Sequence, residues 1–321
     1  MVHPETTPAG VMTGNSRRNN RAMMKETYRV AENLLSVSAP EGVHAWEEIR
    51  GRFSPFADEA KGEEEPVLEA AIKVEPLPQC DAEKIYEPEY AGIGLITARA
   101  SRLPDRSLVI EFLHVDDGEP RIRMRMSPAL DKAYITIGCD GDENDTYFLA
   151  HAMMTAFMLA SARTGTLLIH ASSVICDGKA YLFQGKSGTG KSTHASLWLK
   201  NIPGTELLND DNPLIRFTDD GTAMAYGSPW SGKTHCYRNV AAPIGALVRI
   251  VRDKENSLHR LAPLHAYASL TASVSFAPFV GEELMEKRHK AIERLAQAVA
   301  CCEMHCRPDD EAARVCHKSL N

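Results

Sequence analysis

The chain has 321 residues, of which 44% are hydrophobic and 25% charged, and its formal net charge is −7. This composition is typical of a globular protein, and the acidic excess argues against a general nucleic-acid binder. No apolar run reaches the roughly 18 residues of a membrane span, and no apolar signal-peptide core follows the N-terminal arginines. We therefore expect a cytoplasmic protein with no nucleic-acid or membrane partner.

The first half of the chain carries patterns of β-structure. Residues 1–22 lack hydrophobic periodicity and are rich in Pro, Thr, Gly, Asn and Arg, which indicates a flexible tail. Residues 23–140 contain short apolar pieces broken by Pro, Gly and charge clusters, which predicts a β-rich N-terminal domain that positions or recognises a partner. The strand candidates are 28–30, 67–74, 107–113 and 133–137.

A second domain is predicted over 141–321, and it opens with a helix. Residues 145–164 are apolar nearly all round and stop at Gly165, which predicts a buried helix in which His151 is a core histidine. Three strands follow at 166–170, 173–176 and 179–183, the last two joined by Asp177-Gly178, a strong signal for a two-residue hairpin.

The stretch Gly185-Lys-Ser-Gly-Thr-Gly-Lys191-Ser192 fills every position of the phosphate-binding pattern G-x-x-x-x-G-K-[ST]. Its glycines let backbone N–H groups surround a polyphosphate, the lysine reaches the β- and γ-phosphates, and the serine hydroxyl holds Mg²⁺. An apolar strand before it and a helical pattern over 191–200 supply the expected context. We predict ATP and Mg²⁺ as cofactors. The predicted nucleotide-binding residues are Gly185, Lys186, Ser187, Gly188, Thr189, Gly190, Lys191, Ser192 and Thr193.

The hairpin before this motif bears on the fold class. In doubly wound nucleotide-binding folds, a helical crossover within a parallel sheet leads to the corresponding strand. Here a hairpin leads to it. The predicted fold is therefore α/β (α+β), with the P-loop on a mixed, partly antiparallel sheet that follows the β-rich N-terminal domain.

Further candidates flank the motif. Asp210 and Asp211 end a short apolar run, and phosphoryl transfer needs a carboxylate for Mg²⁺ and a base or positioning group for the attacking hydroxyl. Adjacent side chains on a strand point in opposite directions, so one aspartate would face the metal and the other the acceptor. His170 ends the strand before the hairpin. Lys233, in a loop rich in Gly and Pro, would neutralise the transferred phosphate, and Asn239 would bind a polar substrate group. A surface turn explains both residues almost as well.

The chain has eight cysteines, which are too scattered for a disulfide framework. The densest group, Cys301-Cys302-Glu-Met-His305-Cys306, has residue types that suit zinc but no matching C-x-x-C pair. Alternation across Cys302, Met304 and Cys306 fits a half-buried strand, so we predict a structural strand here.

The segments His170-Ala-Ser-Ser-Val, Phe183-Gln-Gly-Lys-Ser-Gly-Thr-Gly-Lys-Ser and Asn209-Asp210-Asp211 together resemble the catalytic domain of HPr kinase/phosphorylase, over about residues 165–250. They equally resemble the nucleotide core of phosphoenolpyruvate carboxykinase. The resemblance implies that Ser192 and Asp211 hold Mg²⁺ and that Asp210 takes the proton from an acceptor hydroxyl. His170 would assist Asp210 in a kinase, or ligate a second divalent metal as in the carboxykinase.

Because of two departures, the chain more closely resembles the broader set of HPr-kinase-like proteins than HPr kinase itself. Thr193 stands where HPr kinase has a glutamate, and no E-x-R-G-x-G segment follows. The expected function is an ATP- and Mg²⁺-dependent kinase that phosphorylates a serine-type hydroxyl of a peptide, a protein or a small molecule. The resemblance also implies a homo-oligomer. Two alternatives stay open: a non-catalytic ATP-sensing protein and a carboxykinase-like lyase.

Overall fold

The computed structural model describes residues 21–59, 64–78, 82–88, 96–139, 141 and 143–320. The tail expected at 1–22 lies outside these ranges except for its last two residues. Within the described ranges, no helix is long and apolar enough to cross a membrane.

An eight-stranded mixed sheet is formed by the first half of the chain. Its strands are β1 (Met23–Val30), β2 (Asn33–Pro40), β3 (Leu68–Val74), β4 (Glu83–Tyr86), β5 (Ile96–Arg102), β6 (Leu108–His114), β7 (Pro120–Met126) and β8 (Lys132–Ile137), in the spatial order β1-β2-β3-β8-β7-β6-β5-β4. β3 pairs in parallel with both β2 and β8, and the other neighbours are antiparallel. Helix α1 (His44–Phe53) lies in the connection from β2 to β3 that parallel pairing requires. The four strands predicted in this half are confirmed within β1, β3, β6 and β8.

A nine-stranded mixed sheet is formed by the second half. Its strands are β9 (Leu167–Leu168), β10 (Ala171–Cys176), β11 (Lys179–Gln184), β12 (Glu206–Asp211), β13 (Leu214–Phe217), β14 (Ala223–Tyr226), β15 (Ala241–Arg252), β16 (Ser257–Arg260) and β17 (Ala300–Cys306). Most of them follow the order β12-β10-β11-β15-β14-β13-β9, and β17 pairs with β15 and β16. β15 is parallel to β11 and β17, whereas the other pairs are antiparallel. The predicted mixed α/β fold class is confirmed.

Helices cover both faces of the second sheet. The remaining helices are α2 (Glu143–Ser161), α3 (Lys191–Asn201), α4 (Pro263–Ser273), α5 (Glu282–Ala298) and α6 (Asp310–Leu320). On β15, Leu247 packs with side chains of α4 and α5, while its neighbour Val248 packs with side chains of α3 and α6. A strand covered on both faces needs an unbroken apolar run, which β15 has at residues 246–248.

The predicted helix over 145–164 corresponds to α2 and the short 3₁₀ turn that follows it, and Gly165 ends this segment at φ +76°. α2 is apolar on most sides because it is packed between the two halves. Phe157 contacts Trp230 at a centroid distance of 5.2 Å, and the largest buried cluster includes Ile135 from β8 and Leu214 from β13. The division of the chain at residue 140 stays a prediction.

The hairpin that precedes the phosphate-binding motif is confirmed. Cys176 pairs with Lys179, and Asp177 and Gly178 between them both have positive φ, as a two-residue hairpin turn requires. The strand expected at 166–170 is wrong in length, because only β9 is a strand there. His170 lies between β9 and β10, and its backbone N–H bonds the carbonyl of Ser273 at the end of α4.

Candidate functional site

A glycine-rich loop, residues 185–190, connects β11 to α3, as the motif predicts. Gly185 has φ +145°, and a Cβ there would lie 2.9 Å from Thr189 Oγ1 and 3.3 Å from the carbonyl oxygen of Ile250. Gly190 precedes the helix at φ +110°. Only glycine adopts these conformations without strain, so both residues are needed to bring the backbone into the helix at this angle.

Lys191 is folded into the loop. The residue is only 8% exposed, and Nζ donates to the carbonyl oxygens of Gly185 at 3.2 Å and Lys186 at 3.4 Å. Burial lowers the pKa of Lys191, and the charges of Asp211 and Asp210 oppose this. Ser192 and Thr193 are exposed in the first turn of α3. The ammonium group is therefore held at the loop carbonyls, where it also feels the charges of both aspartates.

One loop contact was not found by sequence reasoning. Arg252, at the end of β15, donates from its guanidinium to the carbonyl oxygens of Gly188 and Thr189. No local sequence signal marks it, because only the parallel pairing of β11 with β15 brings the end of β15 beside the loop.

Asp211 contacts His170. The Nε2 atom of His170 lies 3.1 Å from Asp211 Oδ1, and Asn212 Nδ2 donates to Asp211 Oδ2 at 2.8 Å. Burial would raise the pKa of Asp211, but His170, the charge of Lys191 and the Asn212 hydrogen bond together hold it below its usual value. Asp211 also has φ +128°, a conformation that costs a non-glycine residue about 1–3 kcal/mol and that clusters at functional sites.

Asp210 occupies a different environment. It is the cross-strand neighbour of Ser172, which in turn pairs with Phe183, so the three side chains share one face of the sheet. Phe183 contacts His194 and Trp198 of α3, which identifies this as the face that α3 covers. Asp210 is 3% exposed, and neither its Oδ1 nor Ser172 Oγ has a hydrogen-bond partner among the described residues. A buried oxygen without a hydrogen-bond partner destabilises the fold. A cation that prefers oxygen ligands would satisfy both of these oxygens, so a carboxylate and a hydroxyl in this place fit Mg²⁺.

The loop that carries Lys233 is tied to the aspartate pair by Asn209. This side chain is fully buried; Nδ2 donates to the Trp230 carbonyl at 3.0 Å, and Oδ1 accepts from the Asn212 N–H at 2.8 Å. The N–H of Gly232 donates to the carbonyl oxygen of Asp210. These bonds tie the connection between β14 and β15, which carries Lys233, to the end of β12.

A cavity of about 590 Å³ opens beside Asp211. Three predicted residues meet in its wall, namely His170, Asp211 and Lys233, whereas Asn239 is exposed and outside it. The wall also contains side chains that sequence reasoning did not assign to a site: Arg52, Tyr147, His151, Trp230, His235 and Tyr237. In particular, His151 lines the cavity and is half-buried, so its interpretation as a core histidine is wrong.

The cysteine-rich segment is a strand, as predicted. Cys301, Cys302 and Cys306 are buried in β17, which is parallel to β15. Among the described residues, the group of potential metal ligands that lies together is instead Cys176, Asp177 and His317.

Of the comparisons with known proteins, the one with solved structures finds matches. No protein-family model and no curated protein matches the chain. Among solved structures, the Hpr(Ser) kinase/phosphatase from Coxiella burnetii aligns with a TM-score of 0.28 and 8% sequence identity, over 47% of this chain and 95% of that one.

Proposed function

We propose that the chain is an ATP- and Mg²⁺-dependent kinase that phosphorylates a hydroxyl group. The observation that carries the proposal is the glycine-rich loop between β11 and α3, whose Lys191 feels the charges of Asp210 and Asp211. His170 lies 3.1 Å from Asp211. A phosphate-binding backbone, a cation and two carboxylates are the parts that phosphoryl transfer requires.

In this proposal the loop N–H groups and Lys191 bind the β- and γ-phosphates, and Ser192 with one aspartate would hold Mg²⁺. When bound, Mg²⁺ supplies charge that offsets the negative charge of the phosphates. The acceptor oxygen forms a bond to the γ-phosphorus, the bond from that phosphorus to the β–γ bridging oxygen breaks, and ADP leaves with the electron pair. The hydroxyl proton passes to a carboxylate that acts as base.

The two aspartates can divide these roles in two ways. The resemblance assigns the base to Asp210 and Mg²⁺ to Asp211. The contact of Asp211 with His170, and its place in the cavity wall, support the exchanged assignment, in which Asp211 accepts the proton and the buried Asp210 holds Mg²⁺. His170 would then orient the Asp211 carboxylate. The exchanged assignment is the one we propose.

The test compares Asp210→Asn with Asp211→Asn. We expect Asp211→Asn to bind Mg·ATP with the wild-type Kd and to lose at least about 100-fold in transfer rate, since the base is gone. We expect Asp210→Asn to weaken Mg²⁺ binding and to regain part of its activity at high Mg²⁺. The reverse pattern would restore the assignment from the resemblance, and wild-type transfer by both variants would refute the mechanism.

Two further assays separate the alternatives. ATP binding that changes the affinity for a partner protein, without transfer to any acceptor, would identify an ATP-sensing protein. Formation of phosphoenolpyruvate from oxaloacetate and ATP with Mn²⁺ would identify a carboxykinase-like lyase, and we expect no such product.

A further inference from the structure

The cavity beside Asp211 is rich in cationic and hydrogen-bond-donating side chains. Arg52 and Lys233 carry permanent charges in its wall, and Asp211 is the one carboxylate among the described lining residues. Trp230 is 4% exposed, and its Nε1–H has no acceptor among the described residues. A concave wall with more cationic side chains than carboxylates attracts an anion and disfavours a cationic ligand.

Arg52 is the side chain that most needs an explanation. Its neighbour on α1, Arg50, is paired with Glu26 and Glu47, as is usual for arginines in this half of the chain. Arg52 forms no ion pair with any described carboxylate, and its guanidinium lies 5.9 Å from the centroid of the Tyr237 ring instead. A half-buried guanidinium held over an aromatic ring is pre-oriented for a planar, bidentate contact with a carboxylate or a phosphate.

His151 adds a group that suits a hydroxyl. Its Nδ1 lies 2.9 Å from the backbone carbonyl of Tyr147, which can only accept, so Nδ1 carries the proton and Nε2 is the free ring nitrogen. Burial lowers the pKa of His151, with Arg52 acting in the same direction and Asp211 opposing it. A neutral ring of this tautomer accepts a hydrogen bond through Nε2.

The shape of the cavity restricts the size of the ligand. Side chains of α1 and α2, including Arg52 and His151, form one wall, and the loop that carries Trp230 and Lys233 forms another. A volume of about 590 Å³ between two walls is typical of a small-molecule site.

We propose that this cavity binds the phosphate acceptor, and that the acceptor is a small alcohol carrying a carboxylate or phosphate group held by Arg52 and Lys233. The inference rests on the kinase function proposed above. It gives the N-terminal half a direct part in acceptor recognition through Arg52, while the hydroxyl lies toward His151 and Asp211.

The test uses matched acceptors that differ in the anionic group. The full-length protein is assayed for ADP release with Mg·ATP and D-glycerate, glycerol 3-phosphate or neutral glycerol, and with L-serine or L-serinamide. We expect kcat/KM for an acceptor that carries a carboxylate or phosphate to exceed that of its counterpart without this group by at least tenfold. Arg52→Gln should raise KM for the anionic acceptor about tenfold without changing the Kd of ATP, whereas Lys25→Gln, an exposed charge removal on β1, should change neither.

A binding measurement separates this inference from the kinase function. Calorimetric titration of D-glycerate into wild type and Arg52→Gln, without ATP, reports on the cavity, because D-glycerate carries no phosphate for the glycine-rich loop. Binding that Arg52→Gln weakens, with no transfer in the presence of ATP, would leave the anion site standing and refute the kinase. Transfer to neutral alcohols or to serine residues of proteins as efficiently as to the anions, or wild-type kinetics in Arg52→Gln, would refute the anion site.

Discussion

Asn209 is the residue whose replacement most directly tests how the site is assembled. In Asn209→Ala the protein loses the 3.0 Å bond to the Trp230 carbonyl, the 3.3 Å bond to Ser228 Oγ and the 2.8 Å bond from the Asn212 N–H. Each net hydrogen bond contributes about 1 kcal/mol. Ser228 Oγ lies 2.9 Å from the Trp230 carbonyl and 2.7 Å from the Asn212 carbonyl, so its single proton can satisfy one of these two oxygens. We therefore expect a loss of about 2–3 kcal/mol in the free energy of unfolding.

The assay is urea denaturation monitored by circular dichroism, and Asn239→Ala is the matched control. Asn239 lies in the connection between β14 and β15 that Asn209 anchors, but its side chain is exposed. Its replacement should therefore change the free energy of unfolding by less than about 0.5 kcal/mol. In the kinase assay, Asn209→Ala should lower kcat/KM for the acceptor, since Lys233 is no longer held, while the Kd of ATP stays within twofold. If Asn209→Ala were as stable as Asn239→Ala, Asn209 would not anchor the loop as described.

Three further predictions concern the glycine-rich loop and α3. Gly185→Ala should weaken ATP binding and destabilise the fold by about 1–3 kcal/mol, because φ is +145° and the added Cβ meets Thr189; equal ATP affinity in a titration would contradict this. Arg252→Gln should raise the Kd of ATP several-fold in the same titration, since two loop carbonyls lose their donor, and an unchanged Kd would show that the loop holds its shape without it. Burial lowers the pKa of His194 from 6.5 to about 4, so the unfolded chain binds more protons between these values. His194 should therefore lower stability by up to about 3 kcal/mol as the pH falls from 6.5 toward 4, and a His194 ring that titrates near pH 6.5 by NMR would refute it.

Local chemistry explains which parts of the fold were predictable. The Asp177-Gly178 turn and the glycine pattern at 185–190 demand particular backbone angles, and the structure has positive φ at Asp177, Gly178 and Gly185. α2 was predictable because packing between the two halves requires an apolar surface nearly all round. His170 was placed on too long a strand, because its backbone N–H bonds the end of α4, a partner about a hundred residues away in the chain.

The acceptor side of the site was less predictable for a related reason. Arg52, Tyr147 and His151 come from α1 and α2, and only the packing of both helices against Trp230 brings them to Asp211. Arg52 has the same local sequence context as Arg50, which is paired with Glu26. No local pattern distinguishes an arginine with an acidic partner from one that faces a cavity. The phosphate-binding motif, in contrast, is contiguous in the chain and can be recognised from the sequence.

The measurement that tests the central claim most directly is transfer of the γ-phosphoryl group from labelled ATP. Wild type and Lys191→Ala are incubated with Mg²⁺ and a mixture of small hydroxyl compounds and proteins from the source cells, and mass spectrometry identifies the labelled product. We expect wild type to phosphorylate an alcohol and Lys191→Ala to lose at least about 100-fold of that rate, since the loop loses the cation that binds the β- and γ-phosphates. Equal labelling by Lys191→Ala, or wild type that binds ATP and labels nothing, would contradict the account.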